Sequence, residues 1–375
     1  MWKPLLAALA LTLLCACRGG TTSQPVFHAD GNPATLSEWN VISVKGGELT
    51  LSGRVVPYDL NSALFSDHAH KLRTVWMPEG QMARYDDRET FAFPVGTIIS
   101  KTFYYPRGQD GRVLKSEDQT VQKLNAGFDL NAFKLIETRL LVRREAGWVA
   151  FPYVWNEAQT EASLKRIGDI KPLTISGPDM AVTQFSYVVP NVNQCAGCHA
   201  TNATTKKLLP IGPKARHLNR SYDYTSGPQN QLSAWQSLGL LGPISLTGET
   251  PKNADWRDDS FPIAQRARAY LDINCSHCHN PNGPADTSGL NLEPDVPMGP
   301  ALGLCKLPIA AGTGTGGRQF DIVPGAPGKS IFTYRMASTD PAEMMPELSR
   351  SLQDEAGVSL IETWIAQMEG DCERG

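Results

Sequence analysis

The chain has 375 residues, 41% of them hydrophobic and 19% charged, with a formal net charge of −3. This balance fits a soluble globular protein of two or three domains and gives no case for nucleic-acid binding, which needs a basic face. Its 33 glycines and 27 prolines predict many turns and long loops.

Residues 1–16 read as a signal peptide. Lys3 gives a positive start, and Leu5 to Leu14 form an apolar run too short to span a bilayer. The run ends in Leu14-Cys15-Ala16-Cys17, which has the form of a bacterial lipobox. In that pattern Cys17 becomes the first mature residue and is acylated, anchoring the chain to a lipid membrane through a linker over 17–24. Ordinary cleavage near Ala16 is the alternative. Arg18 rather than Asp after the cysteine favours an outer-membrane address. The expected location is the periplasmic side of the bacterial cell envelope, with a mature net charge of −4 once Lys3 is removed. No later apolar stretch is long enough to cross a membrane.

Residues 25–190 read as β-rich. In Lys134 to Trp155, Ile136, Thr138, Leu140 and Val142 alternate with Glu137, Arg139 and Arg143. Glu145-Ala146-Gly147 then makes a turn into a second strand over Trp148 to Trp155. Val95 to Tyr105 is another β-branched and aromatic run, followed by a loop from Gly108 to Gly111. An antiparallel sandwich or barrel-like domain is expected, with His28, His68 and His70 as its histidines.

Cys195-Ala196-Gly197-Cys198-His199 follows Pro190 closely. Beyond it come a loop rich in Thr and Lys, a short helix over Gln229 to Leu238, and polar linker material from Pro243 to Asp259. Ile263, Ala267 and Tyr270-Leu271 recur at helical spacing, with Ser260 as N-cap and Pro262 in the first turn. That helix runs into Cys275-Ser276-His277-Cys278-His279. Leu360-Ile361, Trp364-Ile365 and Met368 form a closing apolar stripe.

Two thiols on one helical turn reach the two vinyl groups of a porphyrin, and a histidine directly after the second cysteine lies under the iron. The CxxCH motif therefore indicates covalent haem in an exported protein. Two haem c groups are expected, held by Cys195, Cys198 and His199 and by Cys275, Cys278 and His279. The competing readings are zinc or dithiol redox pairs that happen to precede histidine. Of the eight cysteines, Cys305 and Cys372 are left over. In an oxidising compartment a disulfide between them is expected, against two separate buried thiols.

The C-terminal part resembles a class I cytochrome c: a helix leading into Cys275-Ser276-His277-Cys278-His279, then Asn280-Pro281, Met345-Pro346 and a closing helix. That resemblance implies Met345 as distal iron ligand, with Met344 and Met336 as alternatives. The whole mature chain is similar to a bacterial family of lipid-anchored periplasmic di-haem cytochromes, mostly uncharacterised. The phrases carrying this are Leu64-Phe65-Ser66-Asp67, Phe93-Pro94-Val95-Gly96-Thr97, Phe103-Tyr104-Tyr105-Pro106, Trp155-Asn156-Glu157-Ala158-Gln159-Thr160 and Asn274-Cys275. Such proteins are often encoded beside a parallel β-helix protein, which implies a partner of that kind. The expected fold class is α+β multidomain: an antiparallel β-rich domain over 25–190, then mainly α-helical cytochrome c-like haem domains over 191–259 and 260–375.

The distal side of haem one is open. No methionine lies between His199 and Met298, so His217 is the nearest candidate in sequence, and His68 or His70 could reach across. Alternatively His217 is a surface histidine, or the iron is open or water-bound. Lys206, Lys207, Arg216 and Arg220 could pair with haem propionates or form a solvated face. The expected activity is electron transfer between a donor and an acceptor redox protein. The alternatives are a haem enzyme, such as a di-haem peroxidase or the cytochrome subunit of a dehydrogenase, and a sensor or assembly role.

Overall fold

In the computed structural model, which describes residues 23–116, 128–309 and 311–372, the alternating run from Phe133 is a 12-residue strand at the centre of a sheet. The signal-peptide residues and Cys17 lie outside the described residues. The first half of the chain forms β1 (Ile42–Lys45), β2 (Glu48–Leu51), β3 (Val56–Tyr58), β4 (His70–Trp76), β5 (Ile98–Pro106) and β6 (Val113–Leu114). It continues with β7 (Phe128–Asp129), β8 (Phe133–Arg144), β9 (Gly147–Trp155), β10 (Ala162–Leu164), β11 (Asp169–Ser176) and β12 (Val182–Val189). Six strands form one antiparallel sheet in the order β10-β9-β8-β5-β4-β3. Two smaller sheets are β1-β2-β7 and β12-β11-β6, and in the latter β6 runs parallel to β11.

Side-chain alternation gives the large sheet two faces with different covers. Leu72, Ile98, Tyr104, Leu140 and Phe151 point to one face and pack on Trp39, Ile42, Leu49 and Phe128. This is the β-rich packing expected for the N-terminal half. On the opposite face Phe103, Tyr105, Ile136 and Val154 pack on Leu173, Ile175, Tyr187 and Val189 from β11 and β12. Val75, Ile99 and Leu141 lie further along that face, under Leu218, Leu232, Trp235 and Ile273. The cover there comes from the second half of the chain.

That half forms α1 (Val192–His199), α2 (Ala215–Leu218), the hairpin β13 (Ser221–Tyr224) and β14 (Gly227–Asn230), α3 (Gln231–Ser237), α4 (Ile263–Leu271), α5 (Ile331–Ala337) and α6 (Glu355–Ala366). Mainly helical haem domains are not what the chain builds. Strand takes 27% of residues and helix 21%, and among the described residues no α-helix lies between α4 and α5. The cause is local: Gly283-Pro284, Gly299-Pro300 and Gly312 to Gly317 interrupt any helical run there. The closing helix does form, and Gly357 lets α6 approach α4, because any side chain at that position would overlap the Tyr270 ring.

Three smaller expectations shift. Asn230 caps α3, its side chain accepting from Leu232 N, so Gln229 belongs to β14. Ser260 does not cap α4, since its amide binds the Asp258 carboxylate and the helix starts after Pro262. The stretch read as polar linker buries Asn253, Ala254 and Trp256. The boundaries drawn at 190 and 259 cross one continuous core, because Cys195 and Ile273 pack in the same cluster as Tyr58 and Val75. A disulfide joins Cys305 to Cys372 beyond α6. Among the described residues no helix is long and apolar enough to cross a membrane.

Candidate functional site

The first motif rides on α1, and the start of α1 is set by two side chains. Asn191 Oδ1 accepts from the amides of Asn193 and Gln194, while Gln194 Oε1 accepts from Asn191 N at 2.9 Å. This reciprocal capping box satisfies amides that helix geometry leaves unpaired. Cys195, Cys198 and His199 then fall within two turns of the same helix. The second motif continues α4 through a π-turn, Asp272–Ser276. There the amides of Cys278 and His279 both donate to Cys275 O, at 3.1 and 2.9 Å. Gly283 closes the turn after His279; a side chain there would overlap the Cys278 carbonyl.

The motifs touch, although 77 positions separate Cys198 from Cys275. Cys278 Sγ lies 3.5 Å from Gly197 O, and Ala203 N donates to Asn282 O at 2.7 Å. Each motif opens on its own cavity. The first has about 1380 Å³ of empty space, its mouth included, and is lined by Cys195, Cys198, His199, His277 and Met345. The second has about 600 Å³, its mouth likewise included, and is lined by Cys275, His279, Met336 and Met345. Met345 and Met336 line both. Met344 is buried elsewhere and lines neither.

Both motif histidines are held in one tautomer. His199 Nδ1 is 2.8 Å from the Leu209 carbonyl, which only accepts, so the proton sits on Nδ1 and Nε2 keeps its lone pair. His279 Nδ1 is 3.1 Å from Ser288 Oγ, whose own proton goes to Ala285 O at 2.7 Å, and the same assignment follows. Burial pushes His199 down to about 3 and His279 to about 4, so both rings are neutral at pH 7. Burial also raises the thiols, with Cys275 and Cys278 pushed up to about 12. A neutral imidazole with a fixed Nδ1–H is the form that ligates a metal.

The sheet contributes a cationic row. Arg73, Lys101 and Arg139 stand directly opposite one another on β4, β5 and β8, and all three line the first cavity. Like charges in that register repel. Asp59 offsets Arg73 at 2.7 Å, and Glu137 chelates Arg139 through bonds of 2.8 and 2.5 Å. Lys101 lies over the Phe103 ring, and burial with its arginine neighbours pushes its amine down to about 7. Arg350, also on the cavity wall, spends its Nη atoms on carbonyls and leaves a buried Nε unpartnered. The wall thus suits an apolar ligand with an anionic edge.

Several residues singled out by sequence lie elsewhere. His217 is buried beside Asp272, its Nε2 3.5 Å from the carboxylate and its Nδ1 3.4 Å from Asn253, and it lines neither cavity. Arg216 chelates Asp272 and Arg220 binds Asp59, while Lys206 and Lys207 are exposed. His68 and His70 line a third cavity beside Lys71 and Lys115. The functional features that sequence reasoning missed are the cross-strand cations, which need the strand register, and His277 inside the second motif. The capping box Asn191-Val192-Asn193-Gln194 was readable from its spacing alone.

No protein-family model, no curated protein and no solved structure matches the chain. Membership of the di-haem cytochrome family, with its class I cytochrome c-like C-terminal domain, is overturned. The fold is β-rich with several sheets and no family model matches. Among the described residues no group of three or more His, Cys, Asp and Glu is arranged to hold a metal ion. The β-helix partner rested on that resemblance and is withdrawn with it.

Proposed function

We propose that each CxxCH motif attaches a haem covalently and that the protein transfers electrons in the cell envelope. The observation that carries this reading is the pairing of each motif with a cavity and a tautomer-fixed histidine. Neither zinc nor a dithiol explains it. The four motif cysteines are not gathered into a metal cluster among the described residues, and high thiol pKa values make a poor redox pair.

Cys195 and Cys198 would hold the first haem with His199, and Cys275 and Cys278 the second with His279 and Met345. When bound, each group supplies a reversible one-electron change at iron. The chain's residues orient it, exclude water with Leu141, Ile273 and Leu348, and meet its carboxylates with the Arg73–Lys101–Arg139 row. Each electron accepted from one redox partner passes to another, so no substrate bond is broken. Placement at the periplasmic side of the envelope, with the lipid anchor at Cys17, belongs to the same proposal.

The test is production of the full chain with haem-maturation machinery, followed by a denaturing haem assay. Two covalent haems per chain are expected, falling to one in Cys195→Ala/Cys198→Ala and to one in Cys275→Ala/Cys278→Ala. A colourless wild-type protein from competent cells overturns the reading. Rapid CO binding at rest and peroxide turnover would replace electron transfer by the haem-enzyme reading.

A further inference from the structure

We propose that His277, the residue inside the second motif, is the distal iron ligand of the first haem. The inference rests on the haem reading above. A haem fixed by Cys195, Cys198 and His199 needs a second axial donor unless its iron stays open, and the nearest candidate in sequence, His217, lies beside Asp272 and lines neither cavity.

Among the described residues, the lining of the first cavity offers as nitrogen or sulfur ligands, besides that motif's own, His277, Met336, Met345 and Lys101, the last standing in the cationic row that meets the haem carboxylates. Both methionines also line the second cavity with His279, whereas His277 lines the first alone. Met345 is held toward that shared wall by its amide on Arg335 O at 2.9 Å and by Arg350 Nη2 on its carbonyl at 2.9 Å. Giving Met345, one of the two shared methionines, to the second haem leaves His277 as the donor that lines the first cavity alone.

The state of His277 points the same way. It is 7% exposed, and its Nδ1 is a buried nitrogen with no hydrogen-bond partner. No hydrogen bond commits that nitrogen to another group of the protein, so the ring is not claimed by a competing partner. The neighbours fix the ring's element rather than the ring: Ser276 Oγ donates to Asp272 O at 2.6 Å, and Asn280 Nδ2 to Ser276 O at 2.9 Å. The second motif is already pressed on the first through Cys278 Sγ and Gly197 O. One short segment would then serve both haems, His277 to one and His279 to the other, two positions apart.

The consequence is an ordered pair of potentials. Histidine–methionine ligation raises a haem's potential, so bis-histidine ligation leaves the first haem as the lower-potential centre.

The experiment uses the full holo-protein. Wild type is expected to show two low-spin ferric haems, one bis-histidine and one histidine–methionine, by electron paramagnetic resonance and near-infrared magnetic circular dichroism. His277→Ala should keep two covalent haems, lose the bis-histidine signal and gain a high-spin haem that binds CO, with exogenous imidazole restoring the low-spin state. His277→Met should stay low-spin, acquire a second methionine-type signal and raise the lower potential. A normal bis-histidine signal in both variants overturns the assignment while the haem reading stands. Loss of the first haem's low-spin signal in Met345→Ala, with His277→Ala silent, overturns it in favour of the methionine. Absence of covalent haem in wild type overturns both.

Discussion

Asp272 ties the second motif to α2 and to the segment carrying Asn253, and its removal should be among the costliest single changes in the chain. Its carboxylate is 1% exposed and accepts from Arg216 Nε at 2.6 Å, Arg216 Nη2 at 2.9 Å, Asn253 at 2.7 Å and Ser276 Oγ at 3.0 Å. Burial keeps the adjacent His217 neutral, so the countercharge is Arg216. Asp272→Ala strands that guanidinium inside the protein, which costs about 3–5 kcal/mol. Asp272→Asn keeps an acceptor but loses the charge, for roughly 1.5–3 kcal/mol. Replacing both partners, as in Arg216→Leu/Asp272→Leu, removes the stranded charge and should cost less than the sum of the single changes. Burial opposes ionisation of Asp272, yet the hydrogen bonds and charge of Arg216 hold it well below the usual carboxylate range. The folded value is depressed, so the stabilisation is complete above the unfolded value of about 3.9 and is lost only as pH falls through the folded one. The difference between wild type and Asp272→Asn should therefore stay flat from pH 7 to about 4. Urea unfolding followed by tryptophan fluorescence measures each of these. A cost below about 1 kcal/mol for Asp272→Ala, or strict additivity in the double variant, refutes the reasoning.

Met345→Ala should remove the methionine-type signal of the second haem and lower its potential, read by spectroscopy and potentiometry; the persistence of both would exclude Met345 as ligand. Breaking the Cys305–Cys372 bond frees a 67-residue loop, worth about 4 kcal/mol by chain entropy, and should lower the urea midpoint of Cys305→Ser/Cys372→Ser. His217 has a folded pKa lowered to about 3 by burial. The unfolded chain takes up that proton first, so His217 contributes a loss of up to about 1.4 kcal/mol per pH unit below pH 6.5, added to those of the other buried histidines. His217→Gln should reduce the slope of the apo-protein by about that amount, and an unchanged slope would show that His217 contributes nothing to it.

Much of the β-rich half was legible because one face of each strand is buried. The alternation from Ile136 to Val142 gives β8, and the Glu145-Ala146-Gly147 turn gives the β8–β9 register. The CxxCH motifs were equally plain, since the proposed haem attachment is read from their spacing. The helical reading of the C-terminal half failed because the helices expected around 229–238, 263–271 and 360–368 were extended across Gly- and Pro-rich loops that hold the chain by side-chain bonds instead. Arg268, for example, donates to the carbonyls of Glu293, Pro294 and Val296. Sequence distance also misled the search for a distal donor. His217 is near His199 in the chain, but a buried carboxylate claims it, whereas His277, the proposed donor, comes from the other motif.

The contact between motifs makes one substitution diagnostic of both sites. Gly197 sits inside the first motif, and a Cβ there would lie 2.7 Å from Leu348 Cδ1. Leu348 follows Met345-Pro346 on the loop that lines both cavities, and Arg350 binds the Met345 carbonyl from the same loop. An extra methyl in such a contact costs about 1–3 kcal/mol or moves the neighbour. The flexible end of Leu348 can move, and the strain then falls on the segment carrying the methionine. Gly197→Ala should therefore leave both haems attached, because Cys195, Cys198 and His199 are untouched. It should nevertheless weaken the methionine-type signal of the second haem, a change read across the motif boundary. If only the first haem responds, the loop does not couple the sites, and the two cavities work as separate centres that merely touch.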